Sequence, residues 1–226
     1  GLDIFTAADG IDLDYRPELS EQELLIAVAD VDALVVRSGT RLTAEVFEKA
    51  KSLRVVGRAG IGAENVDLDA ANRCGVVVMN TPFGSSITSA EHTIAMLMAL
   101  ARHIPQACAA LRRGEWQKDN FLGVELSGKN LGIIGAGKIG RLVIERALAL
   151  KMQILVCDPY LTTEAIQQLG GEQVELPELL QKSDFISLHI PLNPETRGFI
   201  DADLLAQVKP GCRIINCAQG GLIDEE

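Results

Sequence analysis

The segment Leu131-Gly-Ile-Ile-Gly-Ala-Gly-Lys-Ile-Gly140 is the most informative part of the sequence. Its first four residues are mostly apolar and predict a buried strand, and the glycines that follow have the spacing G-x-G-x-x-G. Residues 141–150 predict a helix, and residues 153–157 predict a second strand that ends at Asp158. A strand, a glycine loop, a helix and a strand with a terminal acid are typical of a dinucleotide-binding βαβ unit.

Each glycine and the terminal acid have a role in this interpretation. Gly135 permits the tight turn, Gly137 lets the backbone approach a pyrophosphate, and Gly140 lets the helix pack closely on the strand. The helix N-terminus offers amide groups to the phosphates. Asp158 can accept hydrogen bonds from the adenosine ribose and repels a 2′-phosphate, which favours NAD over NADP. The positive charge of Lys138, within the loop, weakens this preference slightly. The alternative is an ordinary glycine-rich turn, and the flanking strands and acid weigh against it.

The residues before the glycine loop alternate between predicted strands and helices, which predicts a parallel sheet. Strands are predicted at residues 11–15, 33–36, 54–57 and 76–79. Ser20 opens a capping box with Glu23 and so predicts a helix start. Because ligands collect at the carboxyl ends of parallel strands, candidate ligand contacts lie where these strands end. Those ends carry residues 37–38, 58–60 and 80–81.

The composition excludes several classes of protein. The net charge is −10 and no basic run is present, which argues against a nucleic-acid partner. No apolar stretch reaches the ~18 residues that span a membrane. The five cysteines are widely scattered and form neither C-x-x-C nor a zinc spacing, so we expect no metal site. Their odd number favours reduced thiols and a cytoplasmic location.

Eight segments in the same order resemble the D-2-hydroxyacid dehydrogenase family. They are residues 35–38, 56–62, 64–67, 78–82, 132–140, 158–160, 189–192 and 216–221. The resemblance implies an α/β protein with a flavodoxin-like substrate domain at residues 1–93, lacking its first strand. It also implies a Rossmann, doubly wound parallel-sheet NAD domain at residues 94–226, lacking its C-terminal part.

The same resemblance implies reversible hydride transfer between C2 of a small 2-hydroxy or 2-oxo acid and the nicotinamide of NAD. Within the family, the sequence is most similar to members that oxidise D-3-phosphoglycerate to 3-phosphohydroxypyruvate for serine biosynthesis. A glyoxylate or hydroxypyruvate reductase of the same family is the alternative. The basic residues Arg37 and Arg41 mildly favour a phosphorylated substrate.

Site residues also follow from the resemblance. The implied substrate contacts are Arg37, Ser38, Arg41, Gly60 and Asn80. The implied cofactor contacts are Ile61, Gly135, Gly137, Lys138, Ile139, Gly140, Asp158, Ile190, Cys217, Ala218 and Gln219. Three of these positions have a structural alternative. Arg37 could be a plain surface arginine, the loop at residues 60–62 only a tight turn, and Asn80 a turn cap. For His189, a structural role near the cofactor is favoured over a catalytic one.

Two features depart from the family pattern. Gln219 stands where the family has an arginine that binds the substrate carboxylate and polarises the C2 oxygen. A guanidinium makes a charged, bidentate contact, whereas glutamine brings no charge. In the family, the catalytic histidine and its carboxylate partner come later than the position of Glu226. We therefore expect a fragment cut at both ends, which is catalytically silent alone.

Gln219 also raises a second class of function, an NAD-binding scaffold that kept the fold and lost the chemistry. An altered or erroneous residue at this position is a further alternative. The apolar segment at residues 89–101 and the region around Trp116 resemble the family's dimer surface, so a homodimer or homotetramer is expected.

Overall fold

The computed structural model describes residues 2–81 and 84–225. Predictions that involve Gly1, Pro82 or Glu226 lie outside these residues. The chain forms two compact units, Gly1–Ser85 and Ser86–Glu226. This division precedes the predicted boundary at residue 93, because the helix that begins at Ser86 packs as one piece with the second unit.

The first unit is a parallel three-stranded sheet with short helices. Its strands are β1 (Ala33–Val36), β2 (Val55–Arg58) and β3 (Val77–Asn80), in that order across the sheet. Its helices are α1 (Leu2–Thr6), α2 (Glu21–Ala27), α3 (Ala44–Lys49) and α4 (Leu68–Arg73). The core includes Phe47 of α3 and Val56 of β2, both at most 2% exposed. The predicted capping box is confirmed, since the Ser20 amide donates to the Glu23 carboxylate at 2.9 Å.

The strand predicted at residues 11–15 is wrong. These residues are irregular, and Ile11, Leu13 and Tyr15 are 49%, 38% and 62% exposed. Alternating apolar and polar residues favour a strand only where a neighbouring strand completes the hydrogen bonds and a core covers one face. The alternation alone therefore gave a false signal here.

The second unit contains a five-stranded parallel sheet of order β6-β5-β4-β7-β8. Its strands are β4 (Asn130–Ile134), β5 (Gln153–Cys157), β6 (Glu172–Gln173), β7 (Phe185–Leu188) and β8 (Arg213–Asn216). Its helices are α5 (Ser86–Ala101), α6 (Ile104–Arg112), α7 (Lys138–Ala149), α8 (Thr163–Gln168), α9 (Leu176–Lys182) and α10 (Ala202–Leu205), with a 3₁₀ turn at Lys118–Phe121.

Helices cover both faces of this sheet. In β5, Ile154 and Val156 belong to the cluster that includes α5 and α7, whereas Leu155 belongs to the cluster that includes α9. Alternate residues of one strand are thus buried on opposite faces, as in doubly wound folds. The predicted α/β class with parallel sheets is confirmed.

The strand register aligns the carboxyl ends of four strands in one row. Ile134 pairs with Cys157 on one side and with Leu188 on the other, and Leu188 pairs with Asn216. The chain runs outward from β4 through β5 to β6, and later returns to pair β7 with β4. The strand order therefore reverses at β4, and in such sheets ligands bind at this reversal, outside the carboxyl ends.

Within residues 2–81 and 84–225, no single helix is long and apolar enough to cross a membrane. The consecutive helices α5 and α6 reach the required length and composition only as a pair, and they are bent by 65° at their junction.

Candidate functional site

The turn after β4 requires glycine at position 135. Gly135 has a φ of +90°, a left-handed conformation that side chains rarely adopt. Its amide donates to the Cys157 carbonyl at 3.0 Å. A Cβ on Gly135 would lie 2.8 Å from Ile190 Cγ2 and 2.9 Å from the His189 carbonyl oxygen. The turn therefore packs directly on the residues that follow β7.

Gly140 lies in a crowded place and Gly137 in an open one. A Cβ on Gly140 would overlap the Gly135 carbonyl oxygen, so this glycine permits the close approach of α7 to the turn. Gly137 is the N-cap of α7, is exposed, and has no heavy atom within 4 Å of an added Cβ. Its bare backbone therefore borders open space at the helix N-terminus.

Lys138 and Ile139 form the first residues of α7, directly beyond this open space. The first turn of an α-helix presents amides that lack intrahelical acceptors, together with a partial positive charge. Such a place suits a diphosphate, and a side chain at Gly137 would extend into this open space.

Asp158 is held against the glycine loop. Its Oδ2 accepts a hydrogen bond from the Ala136 amide at 2.8 Å, and its Oδ1 accepts one from the Tyr160 amide at 2.9 Å. The half-buried carboxylate is therefore fixed in position by two backbone donors. This places an acid at the end of β5 beside the loop, as the sequence pattern predicts.

His189 and Ile190 follow β7 at the same edge of the sheet. The His189 ring nitrogen Nε2 lies 2.9 Å from Ser187 Oγ, within hydrogen-bonding distance. Burial lowers the pKa of His189 to about 4, so the ring is neutral at physiological pH. Both observations favour the structural role predicted for this histidine. Ile190 packs on the glycine turn, next to Gly135.

The segment after β8 forms a turn held by Asn216. Its Oδ1 accepts a hydrogen bond from the Ala218 amide at 3.1 Å, and its Nδ2 donates to the Gln219 carbonyl at 2.8 Å. Cys217 and Ala218 are half-buried, whereas Gln219 is exposed. The predicted residues of the second unit thus follow four aligned strand ends.

The predicted substrate residues of the first unit follow the ends of its own strands. Arg37 and Ser38 come directly after β1 and are exposed, as is Arg41. Gly60 follows β2, and a Cβ there would overlap the Arg58 guanidinium. The predicted cofactor contact Ile61 is the next residue.

Two polar residues of this unit have structural partners. Arg58 is 7% exposed and donates from Nη2 to Glu64 Oε1 at 2.9 Å. Its charge is therefore neutralised within the unit. Asn80 donates from Nδ2 to the Ile61 carbonyl at 2.6 Å, which supports the loop after β2. A substrate contact of Asn80 stays a prediction.

Three residues whose hydrogen bonds hold these loops were not predicted from the sequence. Ser187 contacts His189, Asn216 holds the turn before Gln219, and Asn65 bonds to the segment after β1. Asn65 and Asn216 lie within segments that resemble the family, and this was the available signal for them. Their hydrogen bonds depend on tertiary proximity, which the pattern does not give.

Comparisons with known proteins agree with this geometry. The family model "D-isomer specific 2-hydroxyacid dehydrogenase, NAD binding domain" matches residues 94–226. A D-3-phosphoglycerate dehydrogenase of Methanocaldococcus jannaschii is 49% identical over 209 residues, covering 92% of this chain and 40% of that protein. One of Synechocystis sp. is 44% identical over 226 residues, covering 100% of this chain and 40% of that protein. The apo-structure of D-lactate dehydrogenase from Escherichia coli is 32% identical, with a TM-score of 0.88, covering 99% of this chain and 71% of that chain.

Proposed function

Because the chain belongs to the D-isomer specific 2-hydroxyacid dehydrogenase family, we propose that the complete protein oxidises D-3-phosphoglycerate to 3-phosphohydroxypyruvate with NAD. The names of the relatives that are 49% and 44% identical support this substrate. A reaction of this kind would serve serine biosynthesis. The chain spans about two fifths of the length of these relatives, so the activity is proposed for the complete protein.

The observation that carries the cofactor part of the proposal is the fixed position of Asp158 beside the glycine loop. NAD, when bound, accepts a hydride from C2 of the hydroxy acid. The first turn of α7, with Lys138 and Ile139, would bind the pyrophosphate through backbone amides. The Asp158 carboxylate would accept hydrogen bonds from the ribose hydroxyls and repel a 2′-phosphate. Ile190, with residues 217–219, would flank the nicotinamide half.

On the substrate side, Arg37 and Arg41 would bind the phosphate through charge-assisted hydrogen bonds, with Ser38 as a neutral donor. Both arginines are exposed, in a chain whose net charge is −10. Backbone amides of the loop at residues 58–62 would bind the carboxylate, other than those of Ala59 and Gly60, which donate to the Val36 and Arg58 carbonyls. Asn80 would act mainly by supporting this loop through Ile61.

Gln219 favours a second candidate function, an NAD-binding scaffold without efficient chemistry. An exposed glutamine side chain supplies no positive charge for a developing oxyanion. Removing such an electrostatic donor often lowers kcat by about 10²–10³-fold. In the complete protein, Gln219→Arg distinguishes the candidates. An impaired but otherwise intact enzyme gains rate by up to this factor, whereas a scaffold gains none.

A substrate panel tests the proposed reaction. NADH formation by the complete protein is measured with D-3-phosphoglycerate, D-glycerate and D-lactate, and the reverse reaction with glyoxylate and hydroxypyruvate. We expect the highest kcat/KM for D-3-phosphoglycerate. Preferential reduction of glyoxylate or hydroxypyruvate would instead establish the reductase, and no turnover with any substrate by either the wild type or Gln219→Arg would establish the scaffold.

We also propose that the 226-residue chain turns over little by itself, because Gln219 brings no positive charge to the position where the resemblance implies an arginine. A homodimer or homotetramer is supported by exposed apolar side chains on α5 and beyond it. These are Ile87, Met96, Met98 and Trp116, which are 57%, 45%, 41% and 80% exposed.

Five free cysteines support a cytoplasmic location.

A further inference from the structure

The Asn65 side chain joins two loops of the first unit. Its Nδ2 donates to the Arg37 carbonyl at 2.9 Å and to the Thr40 carbonyl at 2.6 Å. Its backbone carbonyl accepts a hydrogen bond from the Leu42 amide at 2.8 Å. The segment at residues 37–42, which follows β1, is therefore attached at three points to one residue of the loop between β2 and α4.

The other end of the same amide group contacts Arg58. Asn65 Oδ1 accepts a hydrogen bond from Arg58 Nε at 3.3 Å, and Arg58 itself is nearly buried and paired with Glu64. The residue at position 65 therefore needs an NH₂ group toward the two carbonyl oxygens and an oxygen toward the guanidinium. Aspartate has the same shape, but it lacks both donors and would place its charge against two carbonyl oxygens.

We propose that Asn65 is a positioning residue for the substrate, which fixes the backbone that carries Arg37 and Ser38. This inference rests on the proposed function, because it assigns those two residues to the substrate. Asn65 itself does not touch the substrate. An exposed arginine on a loose loop loses entropy when it orders around a ligand, and a backbone held beforehand reduces that loss.

The test uses Asn65→Asp and Asn65→Ala in the complete protein. We expect the KM for D-3-phosphoglycerate to rise about tenfold, with kcat changed less than about threefold and the Kd of NAD unchanged. Hydrogen exchange at residues 37–42 should become faster in both variants. If either variant fails to fold, Asn65→Ser, which is neutral and keeps one donor, is used in its place.

Two controls separate positioning from general stability. Asn72→Asp adds the same charge at an exposed site of α4 and should leave the KM and the hydrogen exchange at residues 37–42 unchanged. Asp67→Ala removes the N-cap of α4, whose Oδ1 accepts from the Ala70 amide at 2.8 Å. It should lower the Tm by several degrees without raising the KM for the substrate.

Unchanged exchange at residues 37–42 in the Asn65 variants would overturn the inference. An unchanged KM would overturn it as well, as would a KM that rises equally in Asp67→Ala. Failure of the proposed function looks different, because the wild-type protein itself would then not turn over D-3-phosphoglycerate.

Discussion

The carboxylate of Asp158 accepts a hydrogen bond from the backbone amide of Ala136 at 2.8 Å. This bond connects the end of β5 to the middle of the glycine loop, so the acid and the loop form one preformed unit. Preformed geometry lowers the entropy that binding must remove. The predicted ribose contact and the predicted phosphate contact are therefore held in a fixed relationship before any cofactor binds.

Asp158 provides the first prediction, which concerns cofactor choice. Asp158→Asn keeps an oxygen for the Ala136 amide, gives up the hydrogen bond from the Tyr160 amide and removes the negative charge. The NAD to NADP ratio of kcat/KM, or of affinity, should fall by about tenfold or more, because repulsion of the 2′-phosphate is lost. Asp203→Asn, at an exposed position of α10, is the charge control and should leave the ratio unchanged. An unaltered ratio in Asp158→Asn would remove this residue from the selection of cofactor.

The second prediction concerns the packing of α7. Gly140→Ala should lower the free energy of unfolding by about 1–3 kcal/mol, because the new methyl group overlaps the Gly135 carbonyl oxygen. Urea titration measures the effect. Gly137→Ala is the matched control, since nothing lies within 4 Å of the added Cβ. Its free energy of unfolding should stay within about 0.5 kcal/mol of the wild type, because the poorer N-cap and the lower entropy of the unfolded chain offset each other. Equal stabilities of the two variants would contradict the close approach of helix and turn.

A pH effect on stability follows from His189. Its pKa is lowered to about 4 in the folded protein by burial, against ~6.5 when exposed. Above about pH 6.5 both states are neutral, and at lower pH only the unfolded state binds the proton, so stability falls toward pH 4. The expected loss between about pH 7.5 and about pH 4.5 is on the order of 2–3 kcal/mol.

Unfolding titrations at both pH values measure this loss in three proteins. His189→Gln should lose less stability than the wild type on acidification, because glutamine does not titrate. His92→Gln changes an exposed histidine of α5 and should behave like the wild type. The same pH dependence in His189→Gln and the wild type would show that this ring does not carry the effect.

Much of the second unit could be predicted from the sequence because its signals are local. The apolar run before Gly135 and the glycine spacing identify β4 and α7, and the next apolar run identifies β5. The family and its cofactor NAD were both inferred from motifs that follow one another in the family's order. The family model at residues 94–226 confirms them. The short strand Glu172–Gln173 escaped notice, because two exposed polar residues carry no hydrophobic pattern and become a strand only by pairing with β5.

The first unit shows why pattern alone fails elsewhere. Residues 11–15 alternate like a strand but do not form one, since no pattern can supply a neighbouring strand. The role of Asn65 was equally hidden, because its acceptors at Arg37 and Thr40 are distant in sequence and meet it only in the folded chain. The roles of the individual site residues, Gln219 included, are predictions, which measurements of substrate turnover and cofactor binding test.

The glycine loop at the carboxyl end of β4 is the proposed binding site of NAD. Calorimetric titration of NAD into the complete protein and its Gly137→Ala variant measures whether this loop binds the cofactor. Because the added methyl group enters the open space at the start of α7, the Kd of NAD should rise at least about tenfold, while the Tm changes by no more than a few degrees. Equal affinity of the two proteins for NAD would exclude the loop as the binding site.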